Sequence, residues 1–127
     1  MPKVSPKFSH VILYVRDAHA SAEFYVQRLG LPKIEIHPAF AMLGLGGEVM
    51  LGLWQKDEVH PKVTVPAGGS ELDFTLTDDA EVDKMHKDWE KDGVEIAEKP
   101  RKLDFGYAFT ALDPDGNRIR VFAPAAR

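Results

Sequence analysis

One pattern occurs twice in this chain, and each copy opens the same series of elements. His10–Asp17 reads HVILYVRD and Glu71–Asp78 reads ELDFTLTD, each a short alternating run that ends in an aspartate suited to capping a helix. After the first copy, Ala22, Tyr25 and Leu29 share one helical face within Ser21–Leu29. Gly30 then supplies a stop, and Pro32 forbids continuation. After the second copy, Asp78 and Asp79 offer caps, Val82, Met85 and Trp89 repeat the apolar stripe, and Gly93 repeats the stop. A duplicated unit of this kind is expected to bury one face of each sheet under its own helix and to turn the other toward its partner unit.

The remaining strands complete each copy. Phe8–Val15 is the first strand, with further strands at Lys33–His37, Phe40–Leu45 and Glu48–Trp54, the last two joined by the hairpin signal Gly46-Gly47. Lys56–Gly69 carries two prolines and a Gly-Gly pair and reads as a linker. The second copy continues with Glu71–Leu76, Val94–Glu98, Tyr107–Leu112 and Arg118–Phe122. Asp113-Pro114-Asp115-Gly116 forms the final turn. The fold class is therefore α+β: two tandem βαβββ modules whose mixed, curved sheet surrounds one cleft, with a helix on the outside of each module. Residues 1–127 make a single domain, with module one at about 8–55, the linker at about 56–69 and module two at about 70–123. Alternation assigns Val11, Leu13, Val15, Leu72, Phe74 and Leu76 to the helix side. His10, Ile12, Tyr14, Glu71, Asp73 and Thr75 fall on the other side, where polar residues concentrate.

Composition removes several classes of function. The 127 residues are 44% hydrophobic and 28% charged, which is the range of an ordinary folded domain. The absence of cysteine removes thiolate metal sites, thiol nucleophiles and disulfides, and fits a cytoplasmic setting. The net charge is −4, and the basic residues are interleaved with acids, as in Lys84–Lys91, so no basic stripe invites nucleic acid. The N-terminal MPKVSPKFSH lacks the apolar core of a signal peptide, and no apolar run approaches the roughly 20 residues that span a bilayer. No Ser/His/Asp arrangement or phosphate-binding glycine loop is present.

The series HVILYVRD (His10–Asp17), Phe24-Tyr25, Leu29-Gly30-Leu31 and Asp113-Pro114-Asp115-Gly116-Asn117 before a last strand resembles the vicinal oxygen chelate superfamily. That group includes glyoxalase I, extradiol dioxygenases, fosfomycin-resistance transferases and bleomycin-resistance binding proteins. The resemblance covers essentially the whole chain. It implies four metal-ligand positions, mostly His and Glu, two from each module. Here they are occupied by His10, the Met50–Gly52 stretch, Glu71 and Arg120. Neither a guanidinium nor Met50–Gly52 can ligate a hard cation, so no metal and no other cofactor is expected. Leu53-Trp54, Phe105-Gly106, Ile119-Arg120-Val121 and the Val82–Trp89 helix further resemble the phenazine-antibiotic-binding resistance proteins, whose kin build their clefts as homodimers.

The function expected on these grounds is metal-independent binding and sequestration of a hydrophobic or planar aromatic small molecule, of the antibiotic-resistance type, by a homodimer without nucleic-acid or membrane partners. Trp54 offers a π-face for stacking, and Gly52 beside it leaves room for a flat ligand. Phe40, Met42, Tyr107 and Phe109 are read at the same cleft-facing parity. Arg120 either pairs with Glu71, with His10 close by, or grips a ligand carboxylate. Trp89 is read as packing, and His19, His37, His60 and His86 as surface residues. Two rival readings stand beside this one. The chain could be a glyoxalase- or dioxygenase-like lyase, isomerase or oxidoreductase with an atypical site, including a metal-free one with Glu71 or His10 as base. Or it could be a regulatory or scaffolding module.

Overall fold

The computed structural model describes residues 4–125, and these divide between Thr64 and Val65 into two compact units. The first unit contains β1 (His10–Val15), α1 (Ala18–Leu29), β2 (Lys33–His37), β3 (Phe40–Gly46) and β4 (Val49–Gln55), followed by a single 3-10 turn at Lys56–Glu58. The second contains β5 (Glu71–Thr75), α2 (Asp79–Lys91), β6 (Ile96–Leu103), β7 (Gly106–Leu112) and β8 (Arg118–Pro124). Each unit is a βαβββ module with a four-stranded mixed sheet, in the order β1-β4-β3-β2 in one and β5-β8-β7-β6 in the other. In both, the first strand runs parallel to the last and the other neighbours are antiparallel. No helix among the described residues is long and apolar enough to cross a membrane.

The caps lie where the aspartates and glycines require. Asp17 accepts from the backbone N–H groups of His19 and Ala20 at 3.0 and 3.1 Å, so α1 begins at Ala18, three residues before Ser21. Gly30 ends α1 in the left-handed conformation, φ 67°, where its N–H reaches the last carbonyls. At α2, Asp78 caps by accepting from Glu81 N–H at 2.9 Å, while Glu81 accepts from Thr77 N–H, one residue ahead of the cap, at 2.8 Å.

Helix α1 packs on β3 and β4, burying Ala22 and Tyr25 on the side of the sheet that carries Leu13, Val15, Ala41, Leu43, Leu51 and Leu53. Helix α2 packs on β6, β7 and β8, with Val82 and Trp89 buried. The Trp89 ring stands edge-on to Phe109, with centroids 5.6 Å apart at 88°, so Trp89 is a packing residue. The β7–β8 turn is held by a buried network. Asp113 accepts from the backbone N–H groups of Asp115 and Asn117, both at 2.9 Å, and from the Asn117 side-chain amide at 3.0 Å. Asn117 in turn accepts from Ser70 N–H at 3.0 Å and so ties the turn to the entrance of β5.

Two expectations are corrected. Strand β6 runs on to Leu103 through Pro100, because it is the outer strand of its sheet and a missing N–H costs no ladder bond on that side. Its pairing with β7 shifts between Ile96 and Glu98 and again between Glu98 and Arg101. His86 is not a surface residue. It is 8% exposed, its ring is 5.5 Å from that of Phe109, and its Nε2 has no hydrogen-bond partner.

Candidate ligand-binding faces

Each module presents one sheet face away from its helix, and pairing register decides which side chains occupy it. In module one, His10 lies beside Met50, Ile12 beside Gly52, and Tyr14 beside Trp54. On the next strand Phe40 pairs with Trp54 and Met42 with Gly52. His10, Phe40, Met42 and Trp54 therefore share the face opposite α1, as the alternation predicted. Ile12, Tyr14, Phe40, Met42, Met50 and Trp54 are half-buried there, an apolar and aromatic surface. The Phe40 and Trp54 rings meet edge to face, centroids 5.8 Å apart at 77°. The space that Gly52 was expected to leave open is filled. A Cβ at that position would lie 2.5 Å from Ile12 Cδ1 and 2.9 Å from Phe40 Cε1. The glycine admits the protein's own side chains and leaves Trp54 as the free aromatic wall. His10 lies at the exposed start of β1, its Nδ1 2.7 Å from Ser9 Oγ.

In module two, Glu71 lies beside Arg118, Asp73 beside Arg120, and Thr75 beside Phe122. Arg120 donates a fork to Glu71, Nε to Oε2 at 2.9 Å and a terminal nitrogen to Oε1 at 3.2 Å. The hydrogen bond from Arg120 holds the Glu71 carboxyl below its usual range. Asp73, two residues along on the same face, is pushed up to about 6, first by burial and then by its hydrogen bond with, and repulsion from, Glu71. The sequence places Asp73 on this face but does not single it out, because the shift depends on the burial and the neighbouring Glu71 that folding supplies.

Tyr107 and Phe109 are corrected. Tyr107 pairs with Ala123 and Phe109 with Val121, both on the helix side. The Tyr107 hydroxyl donates to Asp83 of α2 at 2.6 Å, which pushes its pKa up to about 12, and Phe109 is fully buried against Trp89. A recess of about 780 Å³ on that side, bordered by Thr77, Asp79, Lys102, Tyr107 and Pro124, lies behind the sheet rather than on its open face.

The superfamily's metal does not fit this set of donors. Both Glu71 oxygens are taken by a guanidinium that stands where the fourth ligand is expected, and the second position offers Met50, Leu51 and Gly52. Among the described residues no group of three His, Asp or Glu side chains is placed to hold a metal ion. Residues 7–121 match the family model described as the Glyoxalase/Bleomycin resistance protein/Dioxygenase superfamily. The chain belongs to this superfamily. Comparison with curated proteins finds no match.

Solved structures share the fold of this chain. An Agrobacterium tumefaciens protein determined by solution NMR is 41% identical, with a TM-score of 0.83, over 96% of this chain and 100% of that one. An integron cassette protein from the mobile metagenome of V. cholerae is 27% identical, TM-score 0.71, over 98% and 99% of the two chains. A lactoylglutathione lyase from Agrobacterium tumefaciens is 21% identical, TM-score 0.73, over 95% and 96%, a likeness of fold alone.

Proposed function

We propose that this superfamily member binds a flat, hydrophobic aromatic molecule without a metal and holds it rather than transforming it, as a drug-sequestering protein does. The observation that carries this reading is the open face of module one. There Trp54 stands half-buried among Ile12, Tyr14, Phe40, Met42 and Met50, an apolar and aromatic surface. Stacking on an indole contributes about 0.5–1.5 kcal/mol beyond area burial. Methionines beside it adapt to ligands of different outline. The sequence resemblance of Leu53-Trp54, Phe105-Gly106 and Ile119-Arg120-Val121 to phenazine-binding proteins points to the same ligand class.

The Arg120–Glu71 fork argues against both a metal enzyme and a grip on an acidic ligand. A Glu71 carboxylate that accepts two charge-assisted bonds and is held below its usual range is a weak base, and Arg120 has already spent its planar fork. The ligand is therefore expected to be neutral.

The test is fluorescence titration with phenazine. The chain has two tryptophans, and Trp89 is only 4% exposed, so quenching by a stacked ligand reports Trp54. Saturable quenching that Trp54→Phe removes, from protein with no stoichiometric transition metal by elemental analysis, is the expected result. One tightly held transition metal per chain, or no binding by a panel of planar aromatics, overturns the reading.

A further inference from the structure

The duplication extends to the aromatic wall. The first and last strands pair in parallel in both modules, and the partners correspond: Tyr14 beside Trp54 at the end of β1 and β4, Thr75 beside Phe122 at the end of β5 and β8. Phe122 thus holds in module two the position that Trp54 holds in module one. Each of these rings is met edge-on by a second. Trp54 is met by Phe40 at 5.8 Å and 77°, and Phe122 by Phe105 at 5.3 Å and 88°. An edge-on neighbour restricts a ring's orientation, and the exposure of Phe105 leaves part of the second pair accessible to a flat ligand. Phe122 is half-buried, and Phe105 is 46% exposed at the tip of the β6–β7 hairpin.

Charge on this face points to the same kind of ligand. The pair Arg120–Glu71 is neutral as a unit, and Glu98 lies 3.2 Å from Arg101 in a second ion pair. Arg101 shares the cross-strand row of Phe122 through Ala108 and is held by Glu98, while Asp73, two residues from Thr75, is a carboxyl that repels an anion. Arg118 lies four residues away at the far end of β8.

We infer that Phe122 and Phe105 form a second stacking platform, in module two, for uncharged planar aromatic ligands. The inference rests on the binding function proposed above and adds its specificity-determining residues. It is tested by equilibrium dialysis of phenazine and of phenazine-1-carboxylate against wild-type protein, Phe122→Leu, Phe105→Ala and Trp54→Phe at pH 7.5. Phe122→Leu keeps apolar bulk without the π-face, and Phe105→Ala alters an exposed ring, so folding is preserved in at least the second. The expected result is that each phenylalanine variant binds phenazine about two- to tenfold more weakly than wild type, or loses one of two bound equivalents, and that wild type prefers phenazine over its carboxylate. Wild-type binding that neither phenylalanine variant alters, or a preference for the carboxylate, overturns this inference while leaving the role of Trp54 intact. A wild-type protein that takes up no phenazine overturns the broader reading and this one together.

Discussion

Arg120 lies across the face of module two and closes both arms of its guanidinium on Glu71, Nε to Oε2 at 2.9 Å and a terminal nitrogen to Oε1 at 3.2 Å. The Arg120 side chain is 18% exposed and that of Glu71 34%, so the pair is wetted at one end. Arg120→Leu is expected to cost about 1 kcal/mol in urea denaturation at pH 7, because water screens the pair. Glu71 has a lowered pKa in the fold, so this stabilisation is present above its unfolded value, 4.5, and fades as pH falls through the folded one. The difference between wild type and Arg120→Leu should therefore shrink below pH 4. An equal penalty at pH 3 and pH 7 would show that lost packing, not the ion pair, is responsible.

Asp73 behaves with the opposite sign. Its carboxyl titrates near 6 in the fold against 3.8 as a free group, so between these values the folded chain binds more protons than the unfolded one. Stability is expected to fall as pH rises across that window, and Asp73→Asn should flatten the profile and raise stability at pH 7. Solvent screening keeps the gain under about 1 kcal/mol. Urea midpoints from pH 4 to 7.5 give the slope directly.

Two glycines should respond very differently to alanine. At Gly52 the intruding methyl meets the ends of Ile12 and Phe40, which can turn aside. A cost of about 1 kcal/mol is expected, with a shifted Trp54 emission spectrum as Phe40 moves. At Gly106 φ is +154° and a Cβ would collide with the backbone carbonyl of Ala123, which cannot yield without breaking the β7–β8 pairing. Gly106→Ala is expected to cost more than about 3 kcal/mol. Thermal melts of the two variants make the comparison.

Asp113→Ala removes the acceptor for three hydrogen bonds inside a buried turn and is expected to cost about 3 kcal/mol. Asn117→Ala should in addition loosen β5, since it frees Ser70 N–H. Faster amide exchange at Ser70 in Asn117→Ala than in Asp113→Asn is the measurement that separates the two roles.

Much of this was legible in the residues. Asp17, Gly30 and Asp78 announce their helix ends because the chemistry of a cap is local. Phe40, Met42 and Trp54 could be assigned a face because they alternate with the fully buried Ala41, Leu43, Leu51 and Leu53 within β3 and β4. Tyr107 and Phe109 could not. Ala108, Phe109, Thr110 and Ala111 are all buried, so β7 has no wet side to reveal its parity, and only its pairing with β8 does so. Asp73 and Phe122 are recognisable in the sequence as strand residues. What was missing was the pairing that sets one against Arg120 and the other in the place of Trp54.

The interruption of β6 at Pro100 has a bearing on life in a concentrated solution. An outer strand eight residues long is a template on which foreign chains can zip up, and this one withholds an N–H at its middle and twice falls out of step with its neighbour. Growth of the sheet past that border would have to begin and end within a few residues. The proline that made the strand hard to recognise is also a safeguard against aggregation.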